Sequence, residues 1–326
     1  MKALLTKGKA GQVLKKLAPL LIYVAMVLVF TAIKPQYLTL SNFTSILVQT
    51  SMLGIIAGGM TLVMMTGGAD LSVGAVAGAS TLAGLWPVVF GDSPLVVGIL
   101  IALGVALALG AINGACISWL GVAPFVATLG TMFLAQGFQY VFSEGGLSIS
   151  YGFPDAFKFI GGGSLGPIPM PIVIFTVVFA VLLILTEFSP FGRYLRGTGL
   201  NQFTSELSGV RIRFYTFISY VLCSLLAAVL GLVLGSFQSY VSPDHGSTFL
   251  MDSLMVVLLG KALVNNRISV YATAFGALLL CSFESGLAMV GIPVTVLNVC
   301  KGALLVIILL VSVLPQLGLF RKKRTQ

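Results

Sequence analysis

The chain has 326 residues, of which 8% are charged and 58% are hydrophobic, and its mean hydropathy is +1.08. A soluble domain carries about a quarter charged residues, so this chain cannot cover its surface with polar groups, and its solvent must be lipid. The net charge of +9 does not indicate a nucleic-acid partner, because the basic residues do not form a patch with aromatic neighbours. The composition therefore predicts an all-α, multi-pass membrane protein.

A membrane-spanning helix needs about 20 mostly apolar residues. Ten segments meet this requirement, and the first is expected to be retained because it lacks a small-residue cleavage site. The ten divide into two halves of five, and an odd number per half would give the inverted repeats that are common in transporters. The segments lie near 17–33, 43–65, 71–90, 94–120, 122–142, 167–187, 214–236, 249–263, 268–288 and 293–314.

The basic residues orient these segments. Lys and Arg remain on the cytoplasmic side of a membrane, and 15 of the 18 fall on one side when both chain ends lie there. We therefore predict a single transmembrane domain over 1–326. Its cytoplasmic parts are the N-terminus (1–16), a central loop (188–213) and a basic tail (315–326).

Two long loops are predicted on the opposite side of the membrane, at 143–166 and 237–248. Their Gly, Pro and Ser residues resist helix formation and suit a docking surface or a gate. The second loop contains His245, the only histidine, so a histidine-based metal cluster is excluded. The four cysteines lie in apolar runs without metal-ligand spacing. No Gly-x-x-x-x-Gly-Lys-Ser/Thr phosphate loop is present, so we expect no cofactor and no ATP hydrolysis by this chain.

Acidic residues inside a membrane must be solvated or paired. Asp70 precedes the third segment and Asp252 opens the eighth, where each would either cap its helix or serve the path or gate. Glu284 lies late in the ninth segment, and its nearest candidate partner is Lys301. A proton relay would need more acids in register, so the pattern does not support a proton-coupled carrier.

The remaining polar residues within the segments are few and uncharged, which suits a neutral, hydroxylated solute better than an ion. Thr128 and Thr131 are expected to share a helical face with Phe125, and their hydroxyls serve either the path or packing. The predicted path or gate residues are Asp70, Ser72, Asn113, Phe125, Thr128, Thr131, Gln136, Asp252 and Asn298.

A set of motifs resembles the membrane-spanning subunit of ribose/xylose-type sugar importers of the ATP-binding-cassette class. The matching stretches are Gly67-Gly-Ala-Asp-Leu-Ser-Val-Gly74, Pro124-Phe-Val-Ala-Thr-Leu-Gly-Thr131, Phe191-Gly-Arg-Tyr-Leu195, Asn201 through Val210, and Gly246 through Asp252. The resemblance extends from about residue 40 to 314.

The resemblance implies a permease in a bacterial inner membrane that pairs with a second permease subunit. Cytoplasmic ATPases that hold ATP and Mg²⁺ attach below, and a periplasmic solute-binding protein delivers the solute from above. The central loop would then couple the permease to the ATPase. The residues implied at this contact are Gly192, Arg193, Gly199, Asn201, Glu206, Ser208 and Gly209.

The chain departs from the family pattern after the eighth segment. Family members carry a Gly-rich turn there, whereas this chain has Lys261, Asn265, Asn266 and Arg267. A divergent partner in a heterodimeric permease would fit this difference, and so would a homodimer with another solute. A monosaccharide is the expected solute, and a nucleoside or a furanosyl signal molecule remains open. The competing classes are a carrier driven by an ion gradient and a membrane-bound enzyme, and for the enzyme the sequence shows no acid/base or metal set.

Overall fold

The computed structural model describes residues 2–264 and 267–313. Side chains are described within these ranges except at 2–16, 309 and 311–313. The predictions for Asn265, Asn266 and the 315–326 tail therefore lie outside the described residues.

The described ranges form thirteen α-helices, one 3₁₀ turn at Pro35–Leu38 and one two-stranded antiparallel hairpin. The helices are α1 (Lys2–Ile33), α2 (Leu40–Met65), α3 (Val73–Phe90), α4 (Leu95–Ser118), α5 (Pro124–Phe142), α6 (Asp155–Gly162), α7 (Met170–Glu187), α8 (Pro190–Leu200), α9 (Gln202–Leu207), α10 (Ile212–Gln238), α11 (Ser247–Leu263), α12 (Val270–Val290) and α13 (Val294–Val313). The strands are β1 (Ser164–Leu165) and β2 (Ile168–Pro169).

Each of the ten segments predicted from hydropathy coincides with a helix, which confirms the all-α, multi-pass fold. Among the described residues, seven helices are long and apolar enough to cross a membrane: α2, α3, α4, α5, α7, α10 and α12. The apolar parts of α1 and α13, and the whole of α11, are shorter. The count of ten crossings, the inverted repeats and the cytoplasmic side of both ends stay predictions.

The centre of the bundle is built from α2, α3 and α10, which are the most completely buried of the long helices. Helices α4 and α12 pack around this centre. Helices α5 and α7 lie at the periphery of the bundle, and most of their residues are not buried within the chain. Small residues permit the close crossings. At Gly231 of α10, a Cβ atom would overlap the carbonyl oxygen of Ala77 and the hydroxyl of Thr81 in α3.

Replacement of Gly231 with Val should therefore lower the free energy of unfolding by about 2–3 kcal/mol, because the added atoms push α10 away from α3. Thermal unfolding of the purified chain measures the change. Gly104→Val in α4 is the matched control, since a Cβ at Gly104 meets nothing within 4 Å. Equal stability of the two variants would contradict the close crossing.

Two connections predicted as loops contain helices. The outer connection forms α6 and the β1–β2 hairpin, although its Gly and Pro content predicted no helix. Phe157 of α6 is fully buried, and the amide of Gly161 donates to Ser236 Oγ of α10 at 2.7 Å. Tertiary packing therefore stabilises a helix that local propensity disfavours. The central connection likewise forms α8 and α9.

Basic residues of two connections, α7–α10 and α11–α12, meet at one end of the bundle. Arg196 of α8 and Arg267, which precedes α12, both pair with Glu187 at the end of α7. Lys261 of α11 lines the same pocket as these two arginines. We call this the basic end of the bundle. The opposite end carries α6, the hairpin and residues 239–246, and we call it the outer end.

Candidate translocation site and coupling surface

The connection between α2 and α3 brings a carboxylate into the interior. Helix α2 ends at Met65, and Gly67 follows with a positive φ of 90°. Asp70 and Ser72 are then completely buried. Asp70 Oδ1 accepts hydrogen bonds from the amide of Ser72 at 2.8 Å and from its hydroxyl at 2.6 Å. Helix α3 begins only at Val73, so the N-cap position is Ser72 and the prediction that Asp70 caps the helix is wrong.

A third predicted path residue completes this cluster. Asn113 of α4 is fully buried and donates through Nδ2 to Ser72 Oγ at 2.9 Å. Asp70 Oδ2 and Asn113 Oδ1 have no hydrogen-bond partner among the described residues. Asp70 lies in the connection between two spans, and its burial raises its pKa to about 6. We call Asp70, Ser72 and Asn113 the buried triad.

A cavity of about 460 Å³ lies at the basic end, beside the start of the α2–α3 connection. That connection contributes Thr66, Gly67 and Gly68, which precede Asp70 in the chain, and α9 contributes Gln202 and Glu206. Tyr220 of α10 lines the cavity, and its hydroxyl donates to the carbonyl oxygen of Ala69 at 3.5 Å. The cavity therefore lies between the predicted coupling segment and the start of the connection that carries Asp70 and Ser72. Sequence analysis missed Tyr220, which is an aromatic residue in an apolar helix and carries no distinguishing pattern.

The residues implied at the coupling contact separate into two groups. Gly192 is buried and Gly199 is exposed, but both lie against the bundle: a Cβ on Gly192 would overlap the Thr186 carbonyl, and one on Gly199 would overlap the Met65 carbonyl. These two glycines hold α8 against α7 and α2. The remaining five are exposed to solvent: Arg193, Asn201, Glu206, Ser208 and Gly209.

Helix α9 has its own local support. Asn201 is the N-cap, and its Oδ1 accepts from the amide of Thr204 at 3.0 Å. Gly209 ends the segment with a positive φ of 79°, which glycine adopts without a steric penalty. Glu206 projects from this short helix at the rim of the cavity.

The predicted path residues of helix α5 differ in burial. Thr128 and Thr131 are buried against the rest of the chain, whereas Phe125 is 63% exposed. Residues three positions apart lie about 60° apart around a helix, so Phe125 and Thr128 are on the same side of α5 although only the threonines are covered. The Thr128 hydroxyl donates to the carbonyl oxygen of Pro124 at 2.8 Å, so its hydrogen bond is made within the helix. Both threonines pack inside this chain.

Polar residues at the outer end fix residues 239–246. Gln136 Nε2 donates to Asp244 Oδ1 at 3.4 Å. Gln139, which sequence analysis missed, accepts from the Asp244 amide at 2.7 Å and donates to the Ala75 carbonyl at 3.2 Å. Ile149 and Val241 exchange two backbone hydrogen bonds of 2.8 and 2.9 Å. The two outer connections therefore form one surface.

Burial lowers the pKa of His245 in this outer segment to about 4, from an ordinary value of 6.5. The unfolded chain then binds more protons than the folded chain between these values. Stability should accordingly fall as the pH falls from about 6.5 to about 4. Thermal unfolding across this range should show a steeper slope for the wild type than for His245→Gln. Identical slopes would mean that His245 is solvated in the folded chain.

An ion cluster joins α11, α12 and α13. Lys301 Nζ lies 3.0 Å from Asp252 Oδ2 and 2.6 Å from Glu284 Oε1. The predicted pairing of Lys301 with Glu284 is therefore confirmed. Helix α11 begins at Ser247, so Asp252 lies in its second turn, and its partner is Lys301 rather than the helix N-terminus. Asn298 is exposed on α13.

Comparison with known proteins agrees with this architecture. A family model described as "Branched-chain amino acid transport system / permease component" matches residues 42–309. The ribose import permease protein RbsC of Bacillus subtilis is 32% identical over 92% of this chain and 93% of its own length. The autoinducer 2 import system permease protein LsrD of Klebsiella pneumoniae is 31% identical over 90% of both chains. The galactofuranose transporter permease protein YtfT of Escherichia coli is 31% identical over 82% of this chain and 78% of its own length.

The helical bundle and its buried polar site thus define a multi-pass membrane permease. The chain belongs to the family of permease components that this model describes, with full-length relatives among sugar import permeases. It is a transport subunit of a bacterial inner membrane, which confirms the resemblance drawn from its motifs.

Proposed function

We propose that the chain is the translocation subunit of an ATP-driven, binding-protein-dependent importer for a monosaccharide or a similar small polar solute. The observation that carries this proposal is the cavity that α9 shares with the start of the α2–α3 connection, which continues to Asp70 and Ser72. A movement of α8 and α9 would act on this connection through the contact of Gly199 with Met65 and Gly67. Full-length similarity to importer permeases supports the same conclusion.

The exposed faces of α8 and α9 suit an ATPase partner. Leu200, Phe203 and Leu207 are 87%, 72% and 76% exposed, and they surround the polar residues Asn201 and Glu206. An apolar patch with a polar rim is typical of a protein interface. In this proposal ATP and Mg²⁺ bind to the partner subunit, and this chain holds no cofactor and no catalytic residue.

The outer surface formed by residues 143–169 and 239–246 suits a solute-binding protein. Its two parts are linked by the Ile149–Val241 bridge and by a 3.0 Å hydrogen bond between Ser148 and Tyr240. A docked protein would therefore act on both connections together. A second permease subunit, identical or divergent, would complete the path, and lipid surrounds the pair. The domain limits predicted from the sequence remain part of this proposal.

The path would open by alternating access. Docking of the solute-loaded binding protein on the outer surface, together with closure of the ATPases, would shift α8 and α9. The buried triad would then open towards the cavity. The path residues are uncharged apart from the carboxylates, so the solute would be selected mainly by its binding protein. The relatives named for autoinducer 2 and galactofuranose favour a furanosyl compound as the second candidate solute.

Purification of the tagged chain from its own cell tests the assembly directly. We expect a cassette ATPase to co-purify, and proteoliposomes of the complex should accumulate radiolabelled sugar only with ATP and the binding protein. Uptake by the isolated chain under an ion gradient alone would overturn the proposal in favour of a secondary carrier. A panel of ribose, xylose, galactofuranose and nucleosides identifies the solute.

The variant Glu206→Arg should reduce uptake and solute-stimulated ATP hydrolysis by about tenfold or more, because it reverses a charge at the proposed ATPase contact. Membrane insertion should be unaffected, since Glu206 is exposed on α9. Glu206→Gln is the matched control and should lose less. Wild-type rates for Glu206→Arg in the reconstituted complex would remove Glu206 from the coupling surface.

A further inference from the structure

A second concave site lies at the basic end, beside the coupling surface. It has a volume of about 400 Å³, within the range of ligand-binding pockets. Three cationic side chains line it: Arg196 of α8, Lys261 of α11 and Arg267, which precedes α12. The rest of its lining is glycine and apolar side chains, contributed by Met64, Met65, Gly67, Gly199, Leu200 and Ile268.

The charges of this pocket are not balanced within the described part of the chain. Glu187 is the only carboxylate that pairs with these cations there, and both of its oxygens are occupied. Arg196 Nη1 donates to Oε1 at 2.9 Å, and Arg267 Nη2 donates to Oε2 at 3.0 Å. Lys261 has no carboxylate within 4 Å among the described residues. Three positive charges thus face one negative charge.

The position of the pocket determines which anion can reach it. Its walls come from the ends of spans: α2 ends at Met65, α11 ends at Leu263 and α12 begins at Val270. The pocket therefore opens where the apolar part of the bundle gives way to its charged end. Acidic lipids present phosphodiester groups at this depth, and basic residues next to spans attract them by about 1 kcal/mol each. Apolar side chains beside the cations suit the glycerol and the start of the acyl chains.

We propose that this pocket, lined by Arg196, Lys261 and Arg267, binds the phosphodiester headgroup of an acidic membrane lipid. Arg196 is held in place by Glu187 and by the carbonyl oxygen of Thr186, to which Nη2 donates at 2.7 Å. Arg267 is half exposed, and Lys261 lies in the last turn of α11. A lipid bound here contacts α8 directly, so it stabilises the position of the coupling segment. The proposal does not depend on the identity of the transported solute.

Lipid retention by the full-length chain tests this site. The protein is purified from vesicles of phosphatidylcholine with a minority of phosphatidylglycerol, and the retained lipids are counted by mass spectrometry. Wild type should retain phosphatidylglycerol in preference to phosphatidylcholine. Lys261→Gln should weaken this retention about fivefold, and the double variant Lys261→Gln with Arg267→Gln should weaken it by more than tenfold. Lys34→Gln, a change at an exposed lysine distant from the pocket, should retain as much as the wild type.

Three results would overturn the proposal. The first is equal retention of phosphatidylglycerol by wild type and the double variant. The second is displacement of phosphatidylglycerol by millimolar inorganic phosphate with no preference for the lipid, which would define a site for a free anion. The third is loss of the co-purified ATPase by the double variant with unchanged lipid retention, which would define a protein contact.

Discussion

Replacement of Lys301 with Met should lower the free energy of unfolding by about 3 kcal/mol. Lys301 is the only cation that neutralises Asp252 and Glu284 within the described residues, at 3.0 and 2.6 Å. All three side chains are largely buried, with 14–22% of each exposed. Removal of one partner from a buried ion cluster leaves uncompensated charge, which typically costs 3–5 kcal/mol, and the residual exposure places this cluster near the lower limit. Thermal or denaturant unfolding of the purified chain gives the value.

Two further variants separate charge from packing in this cluster. Addition of Asp252→Asn and Glu284→Gln to Lys301→Met removes all the charges and should restore most of the lost stability. Lys158→Met breaks an exposed pair with Asp155 and should change the stability very little. If the triple variant were no more stable than Lys301→Met, the loss would come from packing on α13 and the electrostatic explanation would be wrong.

The second large effect is expected at the buried triad, where Asp70→Leu should abolish transport and cost about 2–4 kcal/mol of stability. Leucine cannot accept the two hydrogen bonds that Ser72 donates, and each buried donor left unpaired costs about 1–3 kcal/mol. Transport is measured in proteoliposomes that contain the whole complex, and stability is measured by thermal unfolding of the chain.

Asp70→Asn is the discriminating control at this site. Asn keeps an acceptor for Ser72 and adds a donor that suits the unpartnered Oδ1 of Asn113. Because complete burial favours a neutral side chain here, Asp70→Asn should be at least as stable as the wild type. A loss of stability as large as that of Asp70→Leu would show that a charged carboxylate is required and that a cation balances it.

Composition alone predicted the helical membrane fold, because each span is long and apolar. Short helices were not predictable in the same way. Helix α6 follows a Gly- and Pro-containing stretch, and it is stabilised by burial of Phe157 and by the bond from Gly161 to Ser236. These contacts join residues that are about 75 positions apart in the chain, so no local pattern indicates them.

The predicted path residues show the same division between local and tertiary information. The sequence identified Asp70, Ser72 and Asn113 as polar residues in apolar surroundings, and the structure brings the three together. It could not indicate that Thr128 is buried while Phe125, three residues earlier, is exposed, because burial depends on which neighbouring elements pack against each position. Lys301 was correctly paired with Glu284 as a near neighbour, but its bond to Asp252 crosses 49 residues.

One helix spans both proposed docking surfaces. Ile212, at the start of α10, lines the cavity beside α9, and Ser236, near its end, bonds to the backbone of α6 at the outer surface. Its 27 residues make a rod of about 40 Å. A tilt of about 5° about its centre would move each end by nearly 2 Å, which is enough to break a hydrogen bond. In the proposed importer, a single tilt of α10 would therefore move residues at both surfaces. Release of the solute-binding protein outside and ATP turnover inside would then be coupled by the rigidity of this one helix.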